Sequence, residues 1–465
     1  MEAPAACKPA DGEALRPLWE TTLLNQFHDI LPGSHIHPVY EDAMADYAKV
    51  QETLETLCGE LPASQQLFNS LNFARTLPVF LADADGKDMR HGEKGEWKMV
   101  HAQGLASAAP VPLEEKTDWA GADSLSEGLH VWTDQYDMVL RPDGSFMELF
   151  DLGLERQWVR EGAGFNQLHL YADNPGVYDA WDILPNYRDV TCPLQIREPL
   201  HVARLDGRLL ELRVVLATEK STWTMTIRMI RGQRGIEVEH DVDWHEKHRL
   251  MKVNFGPDVL TREVVCDTSA GMIRRDLTKN TSWQQARFEV CHHKWFDLSE
   301  TGAGLAVINE GKYGLGLEGG EVSLSLLRST IRPDIDSDMG HHDFCYLILP
   351  HEGDAVHSGV NHLALEYNVP LSPFKATVPE ALRDALNDCG LELQAMKWSE
   401  NGQQIVIRLS EQNGQRGMLH FPFPVHVLNM LEDEEDPDDA SEDIGYHPFE
   451  ILTLGLDPED IGTPN

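Results

Sequence analysis

The sequence predicts a mainly β protein, with a short α-helical segment at the N-terminus followed by large β-sandwich domains. Three observations carry this expectation. Apolar residues recur at helical steps only over the first 60 or so of 465 residues. Beyond Pro62, short runs alternating between polar and apolar residues take over. Those runs are separated at regular spacing by turn-forming Gly, Asn, Asp and Pro.

The first helix is read from Leu15, Leu18, Trp19, Leu23, Leu24, Phe27 and Leu31, spaced by three and four residues. Pro17 suits a first helical turn, where its missing N–H costs nothing. Pro32-Gly33 ends the run. A second helix is expected from Pro38, with Tyr40, Ala43, Tyr47, Val50, Leu54 and Leu57 along one side. Two helices cannot cover so wide a stripe, so a further helical surface should pack on it. Thr222 to Ile230 and Ile236 to Trp244 alternate around Arg-Gly-Gln-Arg-Gly, a hairpin signature. Arg141-Pro142-Asp143-Gly144 and Glu400-Asn401-Gly402 are further turns between strands. The acidic run Glu432 to Asp443 reads as a solvated loop inside the last sheet. The expected division is a helical segment at 1–61, a small β-domain or linker at 62–130, a large β-sandwich at 131–370 and a C-terminal β-domain at 371–465.

Asp and Glu outnumber Lys and Arg 77 to 38, a formal charge of -39. That surface repels nucleic acid and anionic membranes, and neither is expected as a partner. It accommodates a neutral sugar without selecting one. The seven cysteines are scattered, odd in number and never spaced C-x-x-C, which fits a reducing, cytoplasmic setting. The N-terminal MEAPAACKPADGEA has no basic region followed by an apolar run, so no signal peptide is expected. No stretch approaches the roughly 18 apolar residues of a membrane span.

Chemistry concentrates first in Asn25-Gln26-Phe27-His28-Asp29. A histidine on a helix is ordinarily structural. Here Asn25, Gln26 and Asp29 are placed to hold an imidazole in one tautomer, as a metal-bound histidine requires, and the helix stops immediately after. Catalytic zinc needs at least three protein ligands and an open position, which one histidine cannot supply. His35 and His37 lie past the Pro-Gly break and read as surface residues. The groups His240/His245/His248, His292-His293 and His341-His342 lack metal-ligand spacing. Tyr178-Asp179-Ala180-Trp181-Asp182, Trp283, Trp295 and Tyr313 form an aromatic and acidic set of the kind that holds sugars, although in a sandwich Trp is more often core.

At Leu23–Ser34, LLNQFHDILPGS, the chain resembles glycoside hydrolase family 38, the class II α-mannosidases. Further matching blocks follow in the expected order. They are YDAWDIL (Tyr178–Leu184), NTSWQQARFEVCHHKWFDLSE (Asn280–Glu300), GLAVINEGKYGLGLEGGEVSLSLLRS (Gly304–Ser329), RPDIDSDMGHHDFCYLILPH (Arg332–His351) and FEILTLGL (Phe449–Leu456). The resemblance extends from about Leu15 to Leu456 and is strongest to the subgroup of cytosolic, vacuolar and many bacterial enzymes. It implies that the helices are the end of a central helical bundle and that the β region is a mutarotase-like super-sandwich. It implies that His28 is a ligand of a catalytic zinc, in a site shared with an N-terminal half. It further implies that Asp29, Arg328 and Asp338 bind substrate, and it places Arg287 and Asp334 with them in blocks that approach the cleft; for Arg287, Arg328, Asp334 and Asp338 a structural hydrogen-bonding role stands beside this reading. Asn25 and Gln26 would orient His28. The nucleophile and the acid/base carboxylate of the family lie in that N-terminal half, so no catalytic residue is expected here, and the isolated chain is expected to be inactive. The expected partners are an α-mannoside glycan and the N-terminal catalytic half, with homo-oligomerisation left open.

One block departs from the family pattern R-P-T-H-x-N-T-S-W. Here it reads Arg275-Asp276-Leu277-Thr278-Lys279-Asn280-Thr281-Ser282-Trp283, without the Pro or the His. Two other readings stand beside the glycosidase. One is a carbohydrate-binding or scaffold β-sandwich without catalysis. The other, from fold analogy alone, is a mutarotase-like enzyme.

Overall fold

Two helices open the chain in this computed structural model, which describes residues 9–59, 63–374, 376–433 and 440–461. The first, Pro9–Leu24, is shorter at its end than the expected span to Leu31. Side-chain competition accounts for this. Thr21 and Thr22 donate back to the carbonyls of Pro17 and Leu18 at 2.9 and 2.8 Å, and Asn25 Nδ2 donates to Thr21 O at 3.1 Å. Such local bonds offer the backbone an alternative to the helix. The chain then tightens into three-residue steps, Gln26 N–H to Leu23 O and Phe27 N–H to Leu24 O, and reaches Gly33 through turns. The Asn25–Asp29 group therefore lies on a turn after the helix, not within its last turn. Pro17 lies inside the helix, not in its first turn.

The second helix, His37–Gly59, starts as expected and pairs with the first. Asn25 is buried and donates to Asp46 Oδ2 at 3.1 Å, which ties the two together. Of the apolar stripe only Ala43 and Val50 are buried. Trp19, Leu24 and Leu31 are 60%, 65% and 65% exposed, and Phe27, Ile36, Tyr40 and Met44 are exposed beside them.

Everything that follows is dominated by antiparallel sheet. A nine-stranded sheet runs from Gln195–Leu205 at one edge to Gly271–Asp276 at the other, with Ile236–Trp244 paired to Gly340–Glu352 at its centre. A six-stranded sheet contains Phe165–Ala172, Arg249–Phe255 and Glu321–Ser329, and a five-stranded sheet covers Ala120–Gln157. Their inward residues form one core that includes Trp158, Phe165, Trp223, Trp244, Phe255, Phe296 and Tyr346. The predicted hairpin Thr222–Ile230 and Ile236–Trp244 is present with those bounds. The turns at Gly144 and Gly402 are present too, each with φ in the left-handed region (83° and 69°) that glycine adopts without a Cβ clash.

The helix Val360–Asn368 covers the outer face of the nine-stranded sheet through Val360 and Ala364. A final five-stranded sheet has its own core, shared with Leu382 and Leu386 of a short helix. Of the acidic run, residues 434–439 lie outside the described residues. Ser441–Tyr446 is a strand rather than loop, and Glu432 is ion-paired to Lys397 at 2.7 Å. The architecture is thus mainly β-sandwich with a helical N-terminus, as the sequence predicts.

Candidate functional site

The turn after the first helix presents His28 to solvent, its side chain 80% exposed. Its Nε2 lies 3.8 Å from Asp29 Oδ2, and the Phe27 ring sits 4.3 Å away, centroid to centroid. Asn25 and Gln26 make no hydrogen bond to His28 among the described residues. Asn25 is committed to Thr21 and Asp46, and Gln26 faces a neighbouring cleft, so the expectation that this pair orients the imidazole is not met. Asp29 is held by the turn itself: Ser34 N–H donates to its carbonyl at 3.1 Å, and Ser34 Oγ lies 3.5 Å from Oδ1.

That turn borders a cleft of about 500 Å³. Gln26 and Leu31 form one wall, and Cys291, His293, Lys294, Asn309 and Tyr313 face them from the sandwich. Asn309 is fixed there by bonds to His292 Nε2 at 2.9 Å and to the His293 carbonyl at 3.1 Å. A larger groove of about 790 Å³, among Asp134, Asp151, Arg234 and Glu352, contains none of the residues singled out from the sequence.

Next to the helices, the segment Arg328–Gly340 is held by three links. Arg328 Nε donates to the buried Asp173 at 2.7 Å, and its Nη2 donates to the Asp182 carbonyl. Asp179, also buried, accepts from the backbone N–H groups of Ile331 and Arg332 at 2.8 and 2.9 Å. His37 Nδ1 lies 3.0 Å from Asp334 Oδ2. Arg328 and Asp179 thus fasten the aromatic loop to the segment, and Tyr178 and Trp181 remain exposed, edge to face at 6.1 Å. His37, read from sequence as a plain surface residue, is a cross-link. Asp334 is buried beneath it and also accepts from Asp336 N–H at 3.0 Å, which makes it a bracing residue.

Asp338 sits further along with φ +58°. It reaches solvent, yet burial among its neighbours raises its pKa above the usual carboxylate value, with His342, Lys312 and Arg328 acting in the opposite direction. Lys312, which the sequence did not single out, is pushed down to about 8 by burial, with Asp338 opposing the shift. Its Nζ lies 4.1 Å from the centre of the Phe344 ring. No hydrogen bond or ion pair among the described residues joins His28 or Asp29 to Arg328 or Asp338.

Of the other aromatic candidates, Trp283 and Tyr313 are exposed. Trp295 is core, its indole N–H directed at Asn361 Oδ1 at 3.3 Å. Arg287 is exposed at the end of the short helix Ser282–Ala286. Among the described residues no helix is long and apolar enough to cross a membrane.

Three family models match. "Alpha mannosidase middle domain" covers residues 6–62, "Glycosyl hydrolases family 38 C-terminal domain" covers 133–336, and "Glycosyl hydrolases family 38 C-terminal beta sandwich domain" covers 390–454. Alpha-mannosidase 2C1 of Homo sapiens is 30% identical over 480 residues, which is 95% of this chain and 45% of that protein. Alpha-mannosidase G of Dictyostelium discoideum is 25% identical over 535 residues, 95% of this chain and 48% of that protein. The chain spans about half the length of the curated relatives it matches. In fold it is similar to the crystal structure of an alpha-mannosidase from Enterococcus faecalis V583, with a TM-score of 0.68 at 13% identity over 96% of this chain and 64% of that one.

Proposed function

This chain belongs to glycoside hydrolase family 38, and from that premise we propose that it is the C-terminal portion of a zinc-dependent, retaining α-mannosidase acting on terminal α-mannosides of glycans. The observation that carries the proposal is an exposed imidazole, His28, on a turn beside an exposed apolar helix face. A metal ligand that completes its site with residues of another segment is expected to stand free in this way, next to the surface on which that segment docks.

His28 offers one donor side chain and fits a shared zinc site as a contributor, not as its whole ligand set. Zinc bound there polarises and orients sugar hydroxyls and stabilises developing charge. Asp29 accepts a sugar hydroxyl. Asp338 contacts another. Arg328 keeps the Tyr178–Trp181 loop at the rim. Retention requires two carboxylates about 5–5.5 Å apart as nucleophile and acid/base. We assign neither to this chain and propose that an N-terminal catalytic half supplies both, so that the chain alone does not turn over. The free thiols, Cys58, Cys192, Cys266, Cys291, Cys345 and Cys389, favour a cytoplasmic location.

The test is complementation. The chain is mixed with an N-terminal half from a family member and zinc, and aryl α-mannoside hydrolysis is followed. Activity is expected only in the mixture, and normal turnover by the chain alone would overturn the assignment of the carboxylates.

Exposed Tyr178 and Trp181 favour a second reading, a carbohydrate-binding or scaffold protein without catalysis. It requires mannose binding without zinc that is lost in Trp181→Ala. A calorimetric titration of the chain that shows no heat with mannose rules it out.

A further inference from the structure

Away from His28, the nine-stranded sheet gathers a second set of metal-type donors. Glu239 and Cys345 are directly opposed on the central strands Ile236–Trp244 and Gly340–Glu352. Opposed residues leave the sheet on the same face with their Cβ atoms close. Over that face turns the hairpin made by Asp88–Arg90 and Glu93–Ala102. Its two tip residues, His91 and Gly92, have φ of 48° and 74°, the requirement of a type I′ turn. The turn sets His91 onto the sheet. His91 N–H donates to Glu239 Oε1 at 3.3 Å, and His91 Nε2 lies 3.7 Å from Cys345 Sγ.

An imidazole nitrogen, a thiol sulfur and a carboxylate oxygen thus all lie within 4.8 Å of one another. Zinc–sulfur and zinc–nitrogen bonds of about 2.3 and 2.0–2.1 Å at tetrahedral angles put sulfur and nitrogen about 3.6 Å apart. The surroundings suit a cation. Asp343 Oδ1 is 3.2 Å from His91 Nδ1, out of line for a hydrogen bond as it stands, in the position of the outer carboxylate that steadies a metal-bound imidazole. Counting Glu239 itself, four carboxylates, Glu237, Glu239, Glu310 and Asp343, gather here against two guanidinium groups, Arg90 and Arg228. Arg228 occupies only Oε2 of Glu239, at 2.9 Å. The buried Tyr367 hydroxyl, which interacts with Cys345 and Glu310, makes no hydrogen bond among the described residues.

We propose that His91, Glu239 and Cys345 bind a thiophilic divalent cation, Zn2+, with a fourth position taken by water or Glu310. The His91 side chain, 28% exposed, provides the entry. The site pins the Asp88–Ala102 hairpin to the middle of the sandwich.

Co2+ serves as the probe, because a thiolate ligand gives it a near-ultraviolet charge-transfer band. The full chain, stripped with chelator, is titrated with Co2+. The expected result is a saturating band at one equivalent, displaced by Zn2+, lost in Cys345→Ser and in His91→Asn, and kept in Cys291→Ser and His28→Ala. Asn tolerates the left-handed turn conformation, so His91→Asn folds even if Cys345→Ser does not. Absence of the band in the unsubstituted chain, or its survival in His91→Asn, overturns the proposal. Because His28→Ala keeps the band, failure here and failure of the α-mannosidase reading are separate outcomes.

Discussion

His37 Nδ1 lies 3.0 Å from Asp334 Oδ2, so one ion pair joins the start of the second helix to the segment that carries Asp338.

The pair makes the junction sensitive to pH. Asp334, chiefly through its hydrogen bond, raises the His37 pKa above 6.5. A folded-state pKa above the unfolded value means that the contribution is complete below about 6.5 and is lost as pH rises through the folded value. Amide hydrogen exchange in the first turn of His37–Gly59 should therefore accelerate, relative to its intrinsic rate, as pH passes from mildly acidic to mildly alkaline. His37→Gln should show the faster exchange throughout, with no such pH response.

Arg328→Ala should destabilise the fold. It leaves Asp173 buried without its cation, and Asp173 Oδ1 already has no partner. Stranding a buried charge costs about 3–5 kcal/mol. Arg328 is partly exposed, so about 2–3 kcal/mol is expected, read as a lower urea midpoint. Asp173→Asn should cost less, since it strands no buried charge.

Leu24→Ser with Leu31→Ser should leave the isolated chain's stability within about 0.5 kcal/mol, because both side chains are exposed. Complementation should suffer. Two leucines buried by a docked N-terminal half contribute about 1.5–3 kcal/mol each, so the mixture should need at least tenfold more partner for half-maximal activity.

His28→Ala should reduce activity of the complemented enzyme by at least about 100-fold, the scale of losing a group that governs metal affinity. Zinc content at the shared site, measured by atomic absorption with the Cys345→Ser background removing the other proposed site, should fall with it. Circular dichroism should be unchanged, because the imidazole is exposed and lies only beside Phe27 and Asp29 among the described residues.

The hairpin around residues 231–235, the turns at Gly144 and Gly402 and the start of the second helix were legible because each depends on a few adjacent residues. Turn chemistry and alternation act locally, and local rules survive folding. The end of the first helix was not legible. The apolar spacing continues to Leu31, but Thr21, Thr22 and Asn25 compete for the backbone, and the balance is decided by Asp46 on another helix. Trp295 had the composition of a sugar contact and became core, because its strand is covered by Val360–Asn368.

The sequence by itself determined the class of fold, the family, and His28 and Asp29 as neighbours on one short segment, since periodicity and contiguous motifs need no folded partner. Tertiary structure alone decided that His37 meets Asp334, that Arg328 clamps Asp173 rather than standing free, and that His91, Glu239 and Cys345 converge. These residues are separated by more than a hundred positions. Strand register and one positive-φ turn bring them within a few ångströms, and neither leaves a mark on spacing along the chain.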